Sequence, residues 1–404
     1  MPTVSAIGTN YNLPQYHGRV HQLTPSDTPF LTALMGTAPG GGELVEGKSR
    51  TFEWQTFDLR DADQNTVVDA DRVGTGEHRS RSNVFNVIQT HREDVDVAYE
   101  RLAQTGQFDG QNIEGSNPIT DEATWQITQM WKQIKRDIEF SAINGSYDLP
   151  SDNNTPAKTR GILEAITTNA FDGGGAAVTL TTSADSDDLL DSSAHGFTNG
   201  QDVYFATKTG GSALAVDTRY YVVNATTNSF QVAATPGGTP LDFGSDITAG
   251  TVKPFGTLTE ESVGDLMQSA WDNGGLQESE MGLLICNSAV KRHLTRVFIT
   301  DKGLETETRS VGGASVQTIQ TDFGTLGIML NRYIPQGVLA TVSLDQCKPH
   351  FRLVPGKGAM FAEPTAKLGA SEATQLYASF GLEYGNEASH AKLTNLTANA
   401  PVPA

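Results

Sequence analysis

Gly42-Glu-Leu-Val-Glu-Gly47-Lys48-Ser49 has, letter for letter, the spacing of a loop that cradles phosphates. Such a loop aims backbone amides and a helix N-terminus at the anion, so it needs a buried strand before it and a helix after it. Here a Gly-Pro hinge (37–42) precedes and a strand-like aromatic segment follows, and Glu43 and Glu46 would repel the ligand. The pattern is a chance match. Asp61-x-Asp63-x-Asn65 begins like a calcium loop, but Thr66 replaces the turn glycine and Arg72 puts a cation where the bidentate glutamate belongs. Asp185, Asp187, Asp188 and Asp191 form a local acidic cluster that reads as a solvated loop face. His17 and His21 are four apart with no third ligand near. Cys286 and Cys347 cannot make a disulfide framework or a structural zinc site on their own, and Cys286 ends an apolar strand as a small buried hydrophobe. No Gly-x-Ser-x-Gly elbow, His-Glu-x-x-His pair or reactive-cysteine context occurs. The residues point to no catalysis, no metal and no cofactor.

The elements that carry these residues are those of a large protein with several cores. The chain has 404 residues and a net charge of −19, so a basic nucleic-acid-binding face is a poor expectation. No apolar run is long enough to span a membrane, and the opening MPTVSAIGTNYNLPQ lacks the basic start and apolar core of a signal peptide. Residues 1–23 form a polar arm. In the helix that follows, Asp27 or Thr28 can cap, Pro29 suits the first position, and Gly36 ends it. Residues 49–59, with Phe52, Trp54 and Phe57, and residues 83–99 read as two strands of a long hairpin. Its tip is charged and poorly packed, and it must lie on another surface because such a ribbon is marginal alone.

Residues 120–144 form the strongest helix, with Thr120 as cap, Asp121 and Glu122 in the first turn, and Ile127, Met130, Trp131, Ile134 and Ile138 as a stripe. Trp125 and Trp131 on it are expected to serve core or subunit packing. From about 174 to 254 the composition shifts to Thr, Ala, Gly and Asp with strand patterns, which reads as a small all-β domain inserted into a host. The host resumes as α/β. Thr259 caps a helix bearing Val263, Leu266, Met267, Ala270 and Trp271; Met281–Cys286 is a buried strand, and Asn287 caps a second helix through Val297. Residues 327–330, 338–342 and 372–397 supply further strands.

The order of these parts resembles the tailed-phage major capsid proteins of the Hong Kong 97 fold, and more closely the major head protein family named for phage SU10. The residues that carry the resemblance are Thr28-Pro-Phe-Leu-Thr-Ala-Leu-Met-Gly36, Phe52-Glu-Trp54 with Leu59, Arg81-x-Asn83, Val95-x-Val97, Arg136-Asp-Ile-Glu139 and Thr159-Arg-Gly-Ile-Leu163. Each is short, and their order carries the weight. His195-Gly-Phe197, Tyr220-Tyr-Val-Val-Asn224 and Phe230-Gln-Val232 in the insert resemble β modules of phage surface proteins.

The resemblance implies an α+β fold with an N-terminal arm (1–40), an extended loop over a neighbouring subunit (41–100), and a peripheral domain with a spine helix (101–173). It further implies an inserted β domain (174–254), an axial domain (255–345), and a return to the peripheral domain with a C-terminal tail (346–404). It implies a non-catalytic subunit that assembles with itself, as hexamers and pentamers, into an icosahedral shell. That shell would be built in the bacterial cytoplasm around double-stranded DNA it does not grip. A separate scaffolding chain, a portal and a decoration protein are the further expected partners. Trp54, Phe57, Arg60, Arg72, Arg79, Arg81, Trp125 and Trp131 are the expected assembly contacts. No lysine lies between Lys48 and Lys132, so no covalent cross-link through the loop is expected. A carbohydrate-binding tail-fibre protein and an encapsulin-like cage are the competing readings.

Overall fold

The computed structural model describes residues 22–36, 45–64, 78–103, 121–152, 154–181, 183–276, 282–300, 307–311, 314–321, 323–366 and 369–397. The arm through residue 21, the Gly-Pro hinge, Thr120, Met281 and the hairpin tip from Asn65 to Glu77, with Thr66 and Arg72, lie outside them. The chain divides into two compact units, one built from Met1–Leu31, Glu43–Gly161 and Lys348–Glu383, the other from Thr32–Gly42, Ile162–Cys347 and Tyr384–Ala404.

The first unit is organised by the 13-residue strand Ser371–Glu383. Its N-terminal part pairs antiparallel with Gln89–Ala98 on one side and with Met360–Pro364 on the other; its last residues pair with Lys348–His350. The helix Glu122–Asn144 packs on two of these strands. Its cap is Asp121, one residue later than Thr120, because the Asp121 carboxylate accepts from the Ala123 amide at 3.0 Å. Only the C-terminal half of the helix is fully buried, through Ile134, Ile138, Ala142 and Ile143; Ile127, Met130 and Trp131 stay half-exposed. Asn144 is its last residue, and Gly145 is required by a close approach rather than by a left-handed turn. A Cβ there would lie 2.4 Å from both Ser141 O and Thr159 O.

The strand expected over 83–99 is two strands and a helical turn. Arg81–Val87 pairs with Thr51–Phe57 as a separate ribbon, Gln89–Ala98 joins the larger sheet, and Tyr99–Ala103 is helical. The switch falls at Ile88, whose amide donates to Arg50 O at 2.9 Å.

The second unit contains a seven-stranded sheet centred on Gly282–Cys286, every residue of which is buried. It is parallel to Gly324–Leu330 and antiparallel to Leu339–Val342. Helix Glu260–Asp272 begins with a reciprocal cap between Thr259 and Ser262 and buries Val263, Leu266, Met267 and Ala270. Trp271, expected on that stripe, is instead 51% exposed. Asn287 caps helix Ser288–Leu294, and Thr295–Thr300 continues as a π-helical turn. Residues 346–404 do not return as one piece: Lys348–Glu383 belongs to the first unit, while Ala391–Thr394 pairs with Leu339–Thr341 and Ala170–Asp172 in the second.

Also within the second unit, Val178–Leu180, Leu190–Asp191, Asp202–Gly210, Tyr220–Val223, Ser229–Ala233 and Ile247–Pro254 form an antiparallel six-stranded sheet. Its two end strands meet, since the Thr181 amide donates to Asp191 O and Ser192 Oγ donates to Thr179 O, both at 2.8 Å, so the sheet closes into a small barrel. Closure removes the free edges that would otherwise recruit foreign strands. Phe205, Phe230, Phe243, Val203, Val232 and Val252 fill it.

Candidate assembly surface

The ribbon Thr51–Phe57/Arg81–Val87 is clamped at its root and bare at its end. On one face Phe52 stacks on His350, with centroids 4.0 Å apart and planes 14° from parallel, and His350 Nε2 lies 2.6 Å from a Glu383 oxygen. On the other face Phe85 packs edge-on to Tyr147 at 5.9 Å, and Arg160 sits over the Tyr147 ring at 4.7 Å. Between them lies Asn86, fully buried. Its Nδ2 donates to Leu382 O (2.7 Å) and Arg160 O (3.1 Å), and its Oδ1 accepts from Val87 N (2.8 Å) and Arg160 N (2.9 Å). All four hydrogen-bonding positions of that amide are used.

Outward from the root, a polar ladder crosses the ribbon. Arg81 donates to Gln55 Oε1 (3.1 Å), Gln55 Nε2 to Asn83 Oδ1 (3.2 Å), and Asn83 Nδ2 to Glu53 Oε2 (3.4 Å). These residues alternate onto one face with Phe57, which stands opposite Arg81 in register. Phe57 is 64% and Leu59 68% exposed.

Five of the expected contact residues therefore share one hairpin. Trp54 is half-buried and stacks near Phe52 at 6.0 Å; Phe57, Arg60, Arg79 and Arg81 are exposed toward its end, where Arg60 pairs with Asp63 at 2.6 Å. Arg72 lies outside the described residues. Trp125 and Trp131 are half-buried on the upper half of the long helix, apart from the hairpin in sequence and element. Asn86, Tyr147, Arg160 and His350, which hold the hairpin, were not among the expected residues. Asn86 had the one visible signal, a polar amide between Phe85 and Val87 in an otherwise apolar stretch of strand.

A second anchor emerges at Glu139. Its carboxylate, fully buried in the long helix, accepts from the Phe30 (2.9 Å) and Leu31 (2.6 Å) amides and so caps helix Pro29–Met35 across more than a hundred residues.

The barrel is fastened by charge. Asp172 accepts from Lys253 Nζ (2.7 Å), Tyr204 Oη (2.8 Å), Asn395 Nδ2 (3.0 Å) and Gly174 N (3.0 Å). Burial works against this carboxylate's charge, but the donors win and hold its pKa well below the usual range. Arg219 pairs with Asp202 and donates to Leu396 O at 2.8 Å. Gly256 passes so close to Gly173 that any side chain there would meet its carbonyl.

In the acidic loops, Asp185 and Asp188 gather with Asp242, not with Asp187 or Asp191; carboxylate oxygens of the three lie within 4.8 Å of one another. Burial and the neighbouring Asp242, Asp188 and Asp246 raise the Asp185 pKa. Cys286 is buried, which pushes its thiol up to about 12 and leaves it inert at neutral pH. Of the phosphate-loop pattern, Val45–Glu46 pairs with His350–Phe351 and Thr51 begins a strand, so no helix follows Lys48. No helix among the described residues is long and apolar enough to cross a membrane.

Residues 3–397 match the family model described as SU10 major capsid protein. No curated protein sequence matches the chain. Among solved structures, the chain is similar to one from the cyanophage A-1(L) capsid asymmetric unit, at 10% identity and TM-score 0.51, over 98% of this chain and 100% of that one. It is also similar to the capsid of Myoviridae phage XM1 (11%, TM-score 0.49, 95% and 97% covered). The holo-SrpI encapsulin complex from Synechococcus elongatus PCC 7942 is a third (11%, TM-score 0.49, 99% and 97%).

Proposed function

This chain belongs to the SU10 major capsid protein family, with the α+β fold of Hong Kong 97-type capsid proteins, and is a non-catalytic, self-associating subunit of a tailed-phage head shell; from that premise we propose that its hairpin is the strap that ties each subunit to the next. One observation carries this reading. The ribbon is rooted by ring contacts and a buried amide, yet its outer half leaves Phe57 and Leu59 about two-thirds exposed. Apolar side chains held out on a stiff arm gain burial only against another molecule, and in a shell that molecule is a second copy. The half-buried Trp125 and Trp131 on the long helix are further candidate contact residues, on a separate element.

In this reading the copies form hexamers and pentamers, and the arm, extended loop and peripheral domain (1–40, 41–100, 101–173) make the lateral contacts. Residues 255–345 surround the capsomer axis. Residues 174–254 are an inserted β domain on the shell's outside, supported by the barrel's own core, its closed edges and the nearness of Gly173 to Gly256. The acidic balance suits a container that encloses double-stranded DNA without gripping it, since each phosphate contact would add sequence-independent affinity. A scaffolding chain, a portal and a decoration protein complete the assembly, which takes place in the host cytoplasm. The tail-fibre and enzyme-cage alternatives give way to a family match that names a capsid protein along nearly the whole chain.

Replacing 58–80 by a two-residue turn tests the strap. The expected product is a folded subunit with an unchanged melting temperature that sediments as small oligomers. Normal shells from the shortened chain would refute the proposal.

A further inference from the structure

The long helix, the start of strand Gln89–Ala98 and the 156–158 segment enclose an open cleft of about 460 Å³, all within the first unit. Three features of its lining are unsettled in the single chain. Phe140, on the long helix, is 52% exposed. Asp137, one turn away, is half-buried; its Oδ1 accepts from Gln133 at 2.9 Å and its Oδ2 has no hydrogen-bond partner among the described residues. Burial raises the Asp137 pKa, outweighing the Gln133 hydrogen bond and the neighbouring Arg136 charge, and a further cation would act with those two. His91 is only 8% exposed, and its buried Nε2 has no hydrogen-bond partner among the described residues. An orphan polar group of this kind costs about 1–3 kcal/mol.

The hairpin end has the matching chemistry. Phe57 and Arg81 stand directly opposite each other on one face, the ring 64% exposed, the guanidinium with one of its five N–H groups used on Gln55. An aromatic beside a cation faces an aromatic beside a carboxylate. Lys158 is the one cation among the residues lining the cleft, at its 156–158 side; the hairpin end carries Arg60, Arg79 and Arg81 with Asp58, Asp61 and Asp63, and of its arginines Arg81 is the one that stands opposite Phe57.

We propose that this cleft receives the hairpin end of a second copy, Phe57 packing on Phe140 and Arg81 pairing with Asp137. The inference rests on the hairpin lying over a neighbour and adds where it lands. An aromatic contact and a partly desolvated ion pair, repeated at every subunit boundary, make a specific joint where either alone would be weak.

Full-length chain carrying Phe57→p-benzoylphenylalanine tests it, assembled into shells from an equal mixture of ¹⁵N-labelled and unlabelled copies and then irradiated. Mixed-isotope cross-links from position 57 to peptides within 137–158 are the expected result. Mixed-isotope links that fall elsewhere on the neighbour overturn the cleft while leaving the strap intact; links confined to one isotope overturn both. In parallel, Arg81→Asp and Asp137→Arg should each lower shell yield about tenfold, and the double exchange should recover most of it, as paired charges at an interface do. A double variant as poor as the singles, in subunits that melt like wild type, counts against the pairing.

Discussion

Asn86 Nδ2 lies 2.7 Å from the carbonyl oxygen of Leu382, nearly three hundred residues away in sequence, and joins the hairpin root to the longest strand of the first unit. Because the same amide also closes on both backbone groups of Arg160, its loss strands buried partners on two segments at once. Asn86→Ala is expected to cost about 3 kcal/mol in urea unfolding of the unassembled subunit, the range for leaving buried polar groups unpaired. Asn86→Asp should fare no better at neutral pH, since it sets a carboxylate against two carbonyls. A cost within about 0.5 kcal/mol would mean that the clamp rests on the ring contacts alone.

Glu139 separates charge from shape. Glu139→Gln keeps an oxygen for one of the two helix amides but loses the anion; Glu139→Ala loses both bonds and leaves a cavity. Losses of about 1–2 kcal/mol and about 3–4 kcal/mol are expected, in that order, by denaturant titration. Equal losses would indicate that packing, and not the capping carboxylate, holds helix Pro29–Met35.

Acid should loosen the subunit through two histidines. Burial lowers the His91 pKa to about 4 and also depresses that of His390, which is fully buried with Nδ1 accepting from Ser343 N and Nε2 bonded to Tyr384 O. Above about pH 6.5 both imidazoles are neutral whether the chain is folded or not, so they contribute no pH dependence. Below it the unfolded chain takes protons that the folded one refuses, and stability falls with pH until the folded groups protonate too, near pH 4 for His91. The His91 share is at most about 3 kcal/mol. The melting temperature of His91→Phe should fall less than that of wild type as pH drops from 7 to 4; parallel curves would exclude His91 as a source.

The barrel should be dispensable for the shell. Gly173 and Gly256 are in contact, so joining the chain there with one or two glycines removes 174–255 without stretching the host. Electron micrographs of that deletion should show closed particles of wild-type diameter. Loss of particles while the subunit still folds would make the barrel part of the joint.

No lysine lies between Lys48 and Lys132 to form an isopeptide bond from the outer part of the loop. Boiled particles should therefore run as one band at the monomer mass on a denaturing gel; a ladder of multimers would show a covalent link of another kind.

Much of this was legible in the sequence because it is local. Period-two aromatics announced the hairpin, and helical spacing announced the long helix and Glu260–Asp272. The misses are non-local. Nothing between Asn83 and Tyr99 says that the chain changes sheets at Ile88, because the new partner strand, Ser371–Glu383, lies far along the chain. Glu139, inside Arg-Asp-Ile-Glu, looks like one more surface acid of a charged helix, and only the fold brings the Phe30 and Leu31 amides to it. Trp271 fits the apolar stripe by spacing but falls on its edge, beside Phe323 at 6.5 Å, and stays half in solvent. The exposed aromatic and arginine residues on the hairpin were visible as types, whereas the side chains that hold its root were not.

The most direct measurement is a cryo-electron microscopy reconstruction of shells formed by the full-length chain, at a resolution that traces the strands. The predicted result is a closed icosahedral shell in which the ribbon Thr51–Phe57/Arg81–Val87 of each copy crosses onto its neighbour, with Phe57 covered. Shells in which the ribbon lies against its own subunit, with Phe57 still facing solvent, would contradict the strap.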